Sequence, residues 1–281
     1  MKSPQLPIMD TGNRAPFITW SGHTDIGRVR KNNEDAFLGL AVDSHEVKYL
    51  GKIGFGNREN TDFVFAVSDG MGGAQAGEFA SRIAVDKITR MLPPLFKQRA
   101  SGLETGFKDV LEELFFEIHK ELIYLGSSYK ECHGMGATLS LCWFTPRWVY
   151  FGHIGDSRIY YLPAAGGITQ LSEDDTHVGW LQRTGRINER EAKIHPRRNL
   201  LQKALGAGNQ FVTPQVGAVG FSAGDRFLLC TDGVTDGTSN DQLPDMLACS
   251  SEVISAAQNL VSEAVIRSGR DNTTAVIISI E

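Results

Sequence analysis

The stretch Phe63-Val-Phe-Ala-Val-Ser-Asp-Gly-Met-Gly-Gly73 decides how this chain folds. Its first half is apolar and rich in β-branched and aromatic residues, which predicts a buried strand. The strand is predicted to end at Asp69, and three glycines follow within four residues before a helical pattern begins. One carboxylate therefore lies at the tip of a core strand, beside backbone that a ligand can approach closely. Taken alone, the stretch favours a plain Asp-Gly turn whose carboxylate binds its own backbone.

The same arrangement of strand and aspartate occurs twice more. A strand over Trp148–Ile154 runs into Asp156, another over 225–231 runs into Asp232, and Asp271 comes just before the last strand. Because strand ends on one edge of a sheet converge, these carboxylates are expected to meet. A cluster of carboxylates repels itself unless divalent cations neutralise it. All-oxygen ligands without His or Cys favour Mg²⁺ or Mn²⁺ over zinc.

The segment before the central stretch adds further polar groups. Its pattern predicts a strand, a turn around Gly27 and a return strand through residues 36–40. Glu34 and Asp35 lie in the turn between the two strands. Arg30 in this turn is a candidate anion clamp, because a guanidinium group matches phosphate in a bidentate way. Residues 42–62 are polar and glycine-rich, which predicts a hairpin.

Helical patterns fill the rest of the chain. A helix over 73–92 is predicted to end at Pro93-Pro94 and to bury Phe79, Ile83, Ile88 and Met91 on one face. A second amphipathic helix begins at Phe107 and is closed by Gly126. Residues 172–205 are charged and predict a flap of three short helices, over 174–183, 188–193 and 199–205. Two further helices are predicted from about 241 and over 252–267.

Length and composition indicate a single domain over 17–281 with the flap embedded at about 172–205, preceded by an N-terminal tail over 1–16. The net charge of −5 gives no reason to expect nucleic acid or an anionic membrane as a partner. The four cysteines form no CxxC pair, which argues against a zinc site and favours a reducing compartment. No apolar run reaches membrane-spanning length and the tail lacks a signal-peptide core, so a cytoplasmic protein is expected.

Six stretches, taken in chain order, resemble the motifs of the metal-dependent protein phosphatases of type 2C, the PPM family. The resemblance covers the chain from about Trp20 to Ile280 and is strongest to bacterial members. The matching stretches are residues 25–37 (DIGRVRKNNEDAF), 67–73 (VSDGMGG) with 76–81 (AGEFAS), 136–139 (GATL), 153–158 (HIGDSR), 228–233 (LLCTDG) and 270–274 (RDNTT).

The resemblance implies an α+β fold, in which a central β-sandwich of two antiparallel sheets is flanked by helix pairs. It implies a serine/threonine phosphatase with two Mn²⁺ or Mg²⁺ ions per active site and a third, weaker site. A water that bridges the ions would attack phosphorus directly, without a phosphoenzyme. The implied partners are phosphorylated proteins and a cognate Ser/Thr kinase, and a monomer is expected.

The metal ligands can be carried over by motif. Asp69 would bridge the two ions, the Gly70 carbonyl would serve the second, and Asp232 and Asp271 would complete the first. Met71 stands where some relatives carry a histidine that is proposed to protonate the leaving alkoxide.

The remaining site residues follow in the same way. Asp156 would belong to the third metal site, which it shares with Asp232, and Asp236 matches an acidic position near that site. Asp35 with Glu34 would order metal-bound water, and Arg30 would bind the substrate phosphate.

Two other functions remain open. The chain could be a relative that has lost catalysis and acts as a regulatory binding module, although such members usually lose ligand aspartates and none is lost here. It could also be a phosphatase dedicated to one signalling protein, with recognition carried by the flap and by residues 42–62.

Overall fold

The computed structural model describes residues 17–43, 46–100, 106–198, 200–208, 211–248 and 253–281. In these residues the strands form two sheets, every pair of neighbouring strands is antiparallel, and helices lie on the outer faces. The predicted fold class is therefore confirmed. The predicted tail over 1–16 lies outside the described residues. No helix in the described ranges has the length and apolar character needed to cross a membrane.

The strands and helices are named in chain order. The strands are β1 (Phe17–Asp25), β2 (Asp35–Val42), β3 (Val47–Tyr49), β4 (Ile53–Asn57), β5 (Asp62–Met71), β6 (Gly136–Ala137), β7 (Leu139–Phe144), β8 (Trp148–Ile154), β9 (Arg158–Leu162), β10 (Thr169–Gln170), β11 (Leu205–Gly206), β12 (Gln215–Gly220), β13 (Arg226–Cys230) and β14 (Thr273–Ile280). The helices are α1 (Ala74–Ala100), α2 (Phe107–Ser128), α3 (His177–Arg183), α4 (Glu189–Ile194), α5 (Asp232–Gly237), α6 (Leu243–Ala248) and α7 (Val253–Arg267), and a short 3₁₀ turn spans Lys130–Cys132.

The six-stranded sheet has the order β10-β9-β13-β14-β1-β4. The eight-stranded sheet is built around β5, which pairs with β2 on one side and with β6 and β7 on the other. Strand β5 is buried on both faces, which explains its continuous apolar run. Phe63, Phe65 and Val67 point into the core between the sheets, while Val64 and Ala66 pack under α1 and α2. A third apolar cluster joins the six-stranded sheet to α5, α6 and α7.

The segments on either side of Gly27 do form strands, but not a hairpin. Strand β1 belongs to the six-stranded sheet and β2 to the eight-stranded sheet, so the loop between them crosses from one sheet to the other. The predicted hairpin over 42–62 is wrong for the same reason, because β3 pairs with β2 and β4 pairs with β1. Alternating apolar residues predict a strand but do not say which sheet it joins.

Helix α1 does not end at Pro93-Pro94 and continues to Ala100. A proline inside a helix removes one backbone hydrogen bond and costs about 3 kcal/mol, so local sequence alone predicts a stop there. Of the predicted buried face, Ile88 is fully buried and Ile83 and Met91 pack against the core, but Phe79 does not belong to it. Phe79 is 47% exposed, whereas Ala80 and Ala84 are fully buried against the sheet.

The segment predicted as a flap contains two short helices, α3 and α4, rather than three. Thr176 caps α3, and Asn188 caps α4 in a capping box with Glu191. From residue 200 the chain is irregular apart from a bridge between Leu201 and Thr176, and then enters β11. The end of β13 also differs from the prediction, because Asp232 begins helix α5 directly.

Both sheets bring their candidate site residues to the same end of the sandwich. In the register of the eight-stranded sheet, Asp35 at the start of β2 lies opposite Asp69 of β5. In the six-stranded sheet, β13 ends at Cys230 beside the start of β14, just before Asp232. The crossing loop of residues 26–34 spans this end.

Candidate metal centre

The two sheets end at a cleft of about 460 Å³ that gathers most of the predicted site residues. Its lining includes Arg30, Glu34, Asp69, Gly70, Met71, Asp156, Asp232 and Asp271. A second cleft, of about 420 Å³, extends from Asp156 and Asp232 past Asp236 to α3 and α4. Asp35 does not line either cleft. The structure therefore brings the predicted metal ligands together and places Asp35 behind them.

Asp69 lies among the other carboxylates of the acidic cluster. Burial raises its pKa well above the ordinary value, and the carboxylates of Asp35, Asp232, Asp156 and Asp271 raise it further. Its backbone is held by hydrogen bonds in both directions, because the N–H of Asp69 donates to Thr138 Oγ1 at 3.0 Å and the N–H of Thr138 donates to the Asp69 carbonyl at 2.8 Å. Asp69 is not at the tip of β5, since Gly70 and Met71 still pair with β6.

Asp35 is fixed from the opposite sheet. Its Oδ2 accepts hydrogen bonds from Thr231 Oγ1 at 2.8 Å and from Thr274 Oγ1 at 2.7 Å. Burial raises the pKa of Asp35 to about 7 despite these two hydrogen bonds, and the neighbouring Asp271 and Glu34 add to the shift. The two threonines stand after β13 and at the start of β14, so this carboxylate joins both halves of the sandwich.

Asp156 sits on a turn that needs glycine. Gly155 has φ +110°, and a Cβ there would collide with the side chain of Thr138. Asp175 braces the turn, because its N–H donates to the Gly155 carbonyl at 2.7 Å and its Oδ2 accepts from the Gly155 N–H at 3.2 Å. Burial raises the pKa of Asp156 to about 7; nearby Asp174 adds to the shift and Arg158 offsets part of it.

Asp232 and Asp271 lie on the six-stranded side. Burial raises the pKa of Asp232 well above its usual range, with further contributions from Asp156, Asp271 and Asp236. Asp271 Oδ2 accepts a hydrogen bond from Arg30 at 2.6 Å. Its other oxygen accepts the backbone N–H of Asn272 at 2.9 Å.

The backbone around Gly70 is packed too tightly for a side chain. A Cβ at Gly70 would overlap the carbonyl of Gly77 and approach that of Glu34. The Gly70 N–H donates to the Glu34 carbonyl at 3.1 Å. The carboxylate of Glu34 in turn lies where a Cβ on Gly77 would be. These glycines therefore let α1, β5 and the crossing loop meet at the cleft.

Asn272 is the site residue to which the sequence analysis gave no role. It is 3% exposed, and its side chain makes three hydrogen bonds to the crossing loop. Its only sequence signal is its place after Asp271 in the RDNTT stretch. An asparagine next to a strand is ordinarily interpreted as a turn residue, so periodicity and charge did not reveal it.

The donor set fits hard divalent cations. Each side chain that was predicted as a metal ligand carries a carboxylate, and oxygen ligands of this kind suit Mg²⁺ and Mn²⁺. In the described part of the chain, Asp35 Oδ1 and Asp232 Oδ1 are buried without a hydrogen-bond partner. Uncompensated buried oxygens of this kind cost free energy that a cation would offset. Among the described residues no three acidic, His or Cys side chains are grouped closely enough to hold a metal ion by themselves, so backbone oxygen and water would have to complete its coordination.

Metal-free protein should lose stability as the pH rises from about 4 to about 7. The unfolded chain releases the protons of Asp35 and Asp156 near pH 4. The folded chain keeps them until their pKa of about 7. The folded state therefore binds more protons across this window, and its stability falls by at most about 1.4 kcal/mol per pH unit for each group. Denaturant unfolding in EDTA at pH 5, 6 and 7 measures this effect.

Two comparisons check the cause of that pH dependence. Saturating Mn²⁺ should remove it, because an ion favours the ionised carboxylates. The Asp35→Asn variant should show a weaker dependence in EDTA than the wild type. A fall in stability of equal size with and without Mn²⁺ would contradict the assignment.

Solved structures with this architecture identify the class. The chain superposes on a crystal structure of the Mycobacterium tuberculosis serine/threonine phosphatase PstP with a TM-score of 0.76 and 30% identity, covering 94% of this chain and 99% of that one. A structure of the PstP catalytic domain in complex with two manganese ions gives a TM-score of 0.74 at 30% identity, with the same coverage of the two chains. The sandwich and its acidic cleft define a metal-dependent protein phosphatase.

Sequence relatives give the family. The family model described as protein phosphatase 2C matches residues 52–265. The serine/threonine phosphatase stp of Listeria monocytogenes is 32% identical over 260 residues, which is 91% of this chain and 93% of that protein. The chain belongs to the protein phosphatase 2C family, as the resemblance implied.

Proposed function

We propose that the chain hydrolyses phosphoserine and phosphothreonine on proteins, with two Mn²⁺ or Mg²⁺ ions in the cleft around Asp69. The observation that carries the proposal is the cluster itself. Four carboxylates raise the pKa of Asp69, and two buried carboxylate oxygens of the cluster lack hydrogen-bond partners in the described residues. An arginine stands on the rim of the same cleft.

The proposed ligands follow from this arrangement. Asp69 would bridge the two ions, as the resemblance implies, and it lies among the four other aspartates whose charges raise its pKa. Asp232 and Asp271 would complete the first ion, and the Gly70 carbonyl would serve the second. When bound, the ions would supply an activated water as the nucleophile and would neutralise charge on the phosphoryl oxygens.

The other residues would hold substrate and water. Arg30 would bind the phosphate, for which its guanidinium is suited. Asp35 would order water through the oxygen that Thr231 and Thr274 leave unused, and Glu34 would assist it. Met71 lines the cleft and has no ionisable proton, so water would protonate the leaving alkoxide.

A third ion is proposed between the two clefts. Asp156 and Asp232 line both of them, and Asp236 lines the second. Residues 172–205, with α3 and α4, would form the flap over this second cleft and contribute to the recognition of protein substrates. Residues 17–281 would form one phosphatase domain.

The cellular setting is proposed on chemical grounds. Cys132, Cys142 and Cys230 are free and buried, which supports a reducing, cytoplasmic compartment. A phosphatase for phosphoserine and phosphothreonine reverses a Ser/Thr kinase, so a cognate kinase and its phosphorylated proteins would be the partners. The chain would act in signal transduction as a monomer.

Hydrolysis of a phosphothreonine peptide by the purified protein tests the proposal. Turnover should require Mn²⁺ or Mg²⁺ and should fall to background in EDTA, because the nucleophilic water depends on the ions. Phosphate release measured in both conditions, together with circular dichroism to confirm folding, gives the answer. Adding Mn²⁺ back after EDTA should restore activity.

The opposite outcome would favour the alternative function. If a folded sample shows no turnover with any divalent cation, the chain is better explained as a regulatory binding module that keeps the family fold. Capture of a phosphorylated protein without its dephosphorylation would then be the expected behaviour.

A further inference from the structure

The loop that carries Arg30 is held against the residues just before β14. The N–H of Arg28 donates to the Gly269 carbonyl at 2.7 Å. Gly27 has φ +77°, and a Cβ there would overlap the carbonyl of Asp271. The path of the loop is therefore set by close backbone contacts on one side of the cleft. Arg30 itself is exposed, and its side chain is 47% accessible.

Asn272 closes this loop at both ends. Its Nδ2 donates to the carbonyls of Ile26 and Asn32, each at 2.9 Å. Its Oδ1 accepts the backbone N–H of Glu34 at 2.8 Å. The amide thus uses both of its donors and its acceptor on the residues that flank Arg30. Only a primary amide provides this combination of groups on one planar side chain.

The ion pair of Arg30 cannot position the arginine alone. The pair with Asp271 is short, at 2.6 Å, but it is partly exposed to solvent. Exposed pairs contribute little to stability, and Asp271 is also a proposed metal ligand. The backbone that carries Arg30 is therefore fixed by other contacts besides this pair, and Asn272 is the buried side chain that bridges its two ends.

We propose that Asn272 is a positioning residue for Arg30, and thereby for the phosphate of the substrate. This inference rests on the proposed function, in which Arg30 binds that phosphate. Asn272 does not touch the substrate. It restricts the crossing loop to one path, so that the guanidinium group is already in place when phosphate enters the cleft.

A double-mutant cycle tests the proposal. Asn272→Ala should raise KM for a phosphothreonine peptide by about tenfold and change kcat much less, because ground-state binding of phosphate is lost. Arg30→Ala should raise KM by a similar factor. The double variant should resemble Arg30→Ala, since Asn272 acts through Arg30 and the two effects are then not additive. Calorimetric titration with inorganic phosphate measures the phosphate affinity of the four Mn²⁺-loaded proteins. These affinities give the same double-mutant cycle without turnover.

Asp225 provides a matched control. It is 3% exposed, like Asn272, and its carboxylate accepts three hydrogen bonds, from Tyr161, Ala164 and Ser222, at the opposite end of β13. Asp225→Ala should lower stability without raising KM. If Asn272→Ala does not fold, Asn272→Asp keeps an acceptor for the Glu34 N–H but lacks both donors, and it should also raise KM.

The outcomes separate this inference from the proposed function. An unchanged KM and unchanged phosphate affinity in Arg30→Ala would refute the role of Arg30 itself. Suppose that Arg30→Ala does weaken phosphate binding. If Asn272→Ala then raises KM by the same factor in the wild type and in the Arg30→Ala variant, the positioning role alone would be overturned. A fall in kcat with unchanged KM, or a rise in KM that disappears at higher Mn²⁺, would also overturn it, because Asn272 would then act on the metal ligands.

Discussion

Replacing Asp69 with asparagine should reduce turnover by at least about 1,000-fold, which corresponds to about 4 kcal/mol of lost transition-state stabilisation. Asparagine keeps the size of the side chain and leaves the backbone bonds to Thr138 in place. It removes the charge that the proposed ions share. Asp232→Asn should have a comparable effect, because its Oδ1 is one of the buried oxygens without a partner in the described residues.

The free energy of unfolding of the metal-free protein should rise in Asp69→Asn, whereas its turnover falls. The pKa of Asp69 is raised well above its ordinary value by burial and by four neighbouring carboxylates. Removing this charge should therefore stabilise the metal-free protein at pH 7, while the wild type should gain more from Mn²⁺. Steady-state kinetics with a phosphothreonine peptide and denaturant unfolding in EDTA measure the two effects.

Asp225→Asn serves as the control for this prediction, because Asp225 is equally an aspartate but lies far from the cleft and accepts three hydrogen bonds. It should lower stability and leave the activity of the folded fraction unchanged. Near-normal turnover in Asp69→Asn would refute the metal-centre assignment.

Replacing Arg158 with methionine should lower the free energy of unfolding by about 3–5 kcal/mol, the usual cost of removing one partner of a buried ion pair. The guanidinium donates to Asp174 through Nε at 2.9 Å and through a terminal nitrogen at 2.6 Å. The side chains of the pair are only 19% and 13% exposed. Without Arg158 the Asp174 charge is buried and unpaired beside Asp156, whose pKa should rise further because Arg158 normally lowers it.

The double variant Arg158→Met with Asp174→Leu should regain most of the lost stability, because no unpaired charge remains. Denaturant unfolding of the two single variants and the double variant measures this, and limited proteolysis reports on residues 172–205. Equal losses in the single and double variants would show that packing, rather than charge, holds this region.

The sequence predicted which carboxylates meet in the cleft better than it predicted the topology. Asp69, Asp156 and Asp232 each follow an apolar run, and that signal is local, so their meeting at one end could be foreseen. The partner of each strand is not local information. Strands β1 and β2 flank a loop of nine residues, 26–34, and their patterns fit a hairpin as well as a crossing between sheets.

Other differences have equally physical reasons. Pro93-Pro94 predicts a helix end because proline removes a backbone donor, yet α1 continues to Ala100. Phe79 reads as core because it is large and apolar, whereas the close approach of α1 to β5 favours Ala80 and Ala84. Asn272 has no charge or periodicity to reveal it, and its role depends on three contacts with residues about 240 positions away along the chain.

The bonds from Thr231 and Thr274 to Asp35 have a consequence for how ions exchange. The core between the sheets is apolar, whereas at the cleft a carboxylate of one sheet is tied to two hydroxyl groups of the other. Any breathing that separates the sheets at this end must break those bonds and pull the aspartates apart. An ion can therefore leave and re-enter through the open cleft without changing the spacing of the carboxylates, which should follow the slow breathing of the domain rather than the faster motion of single side chains.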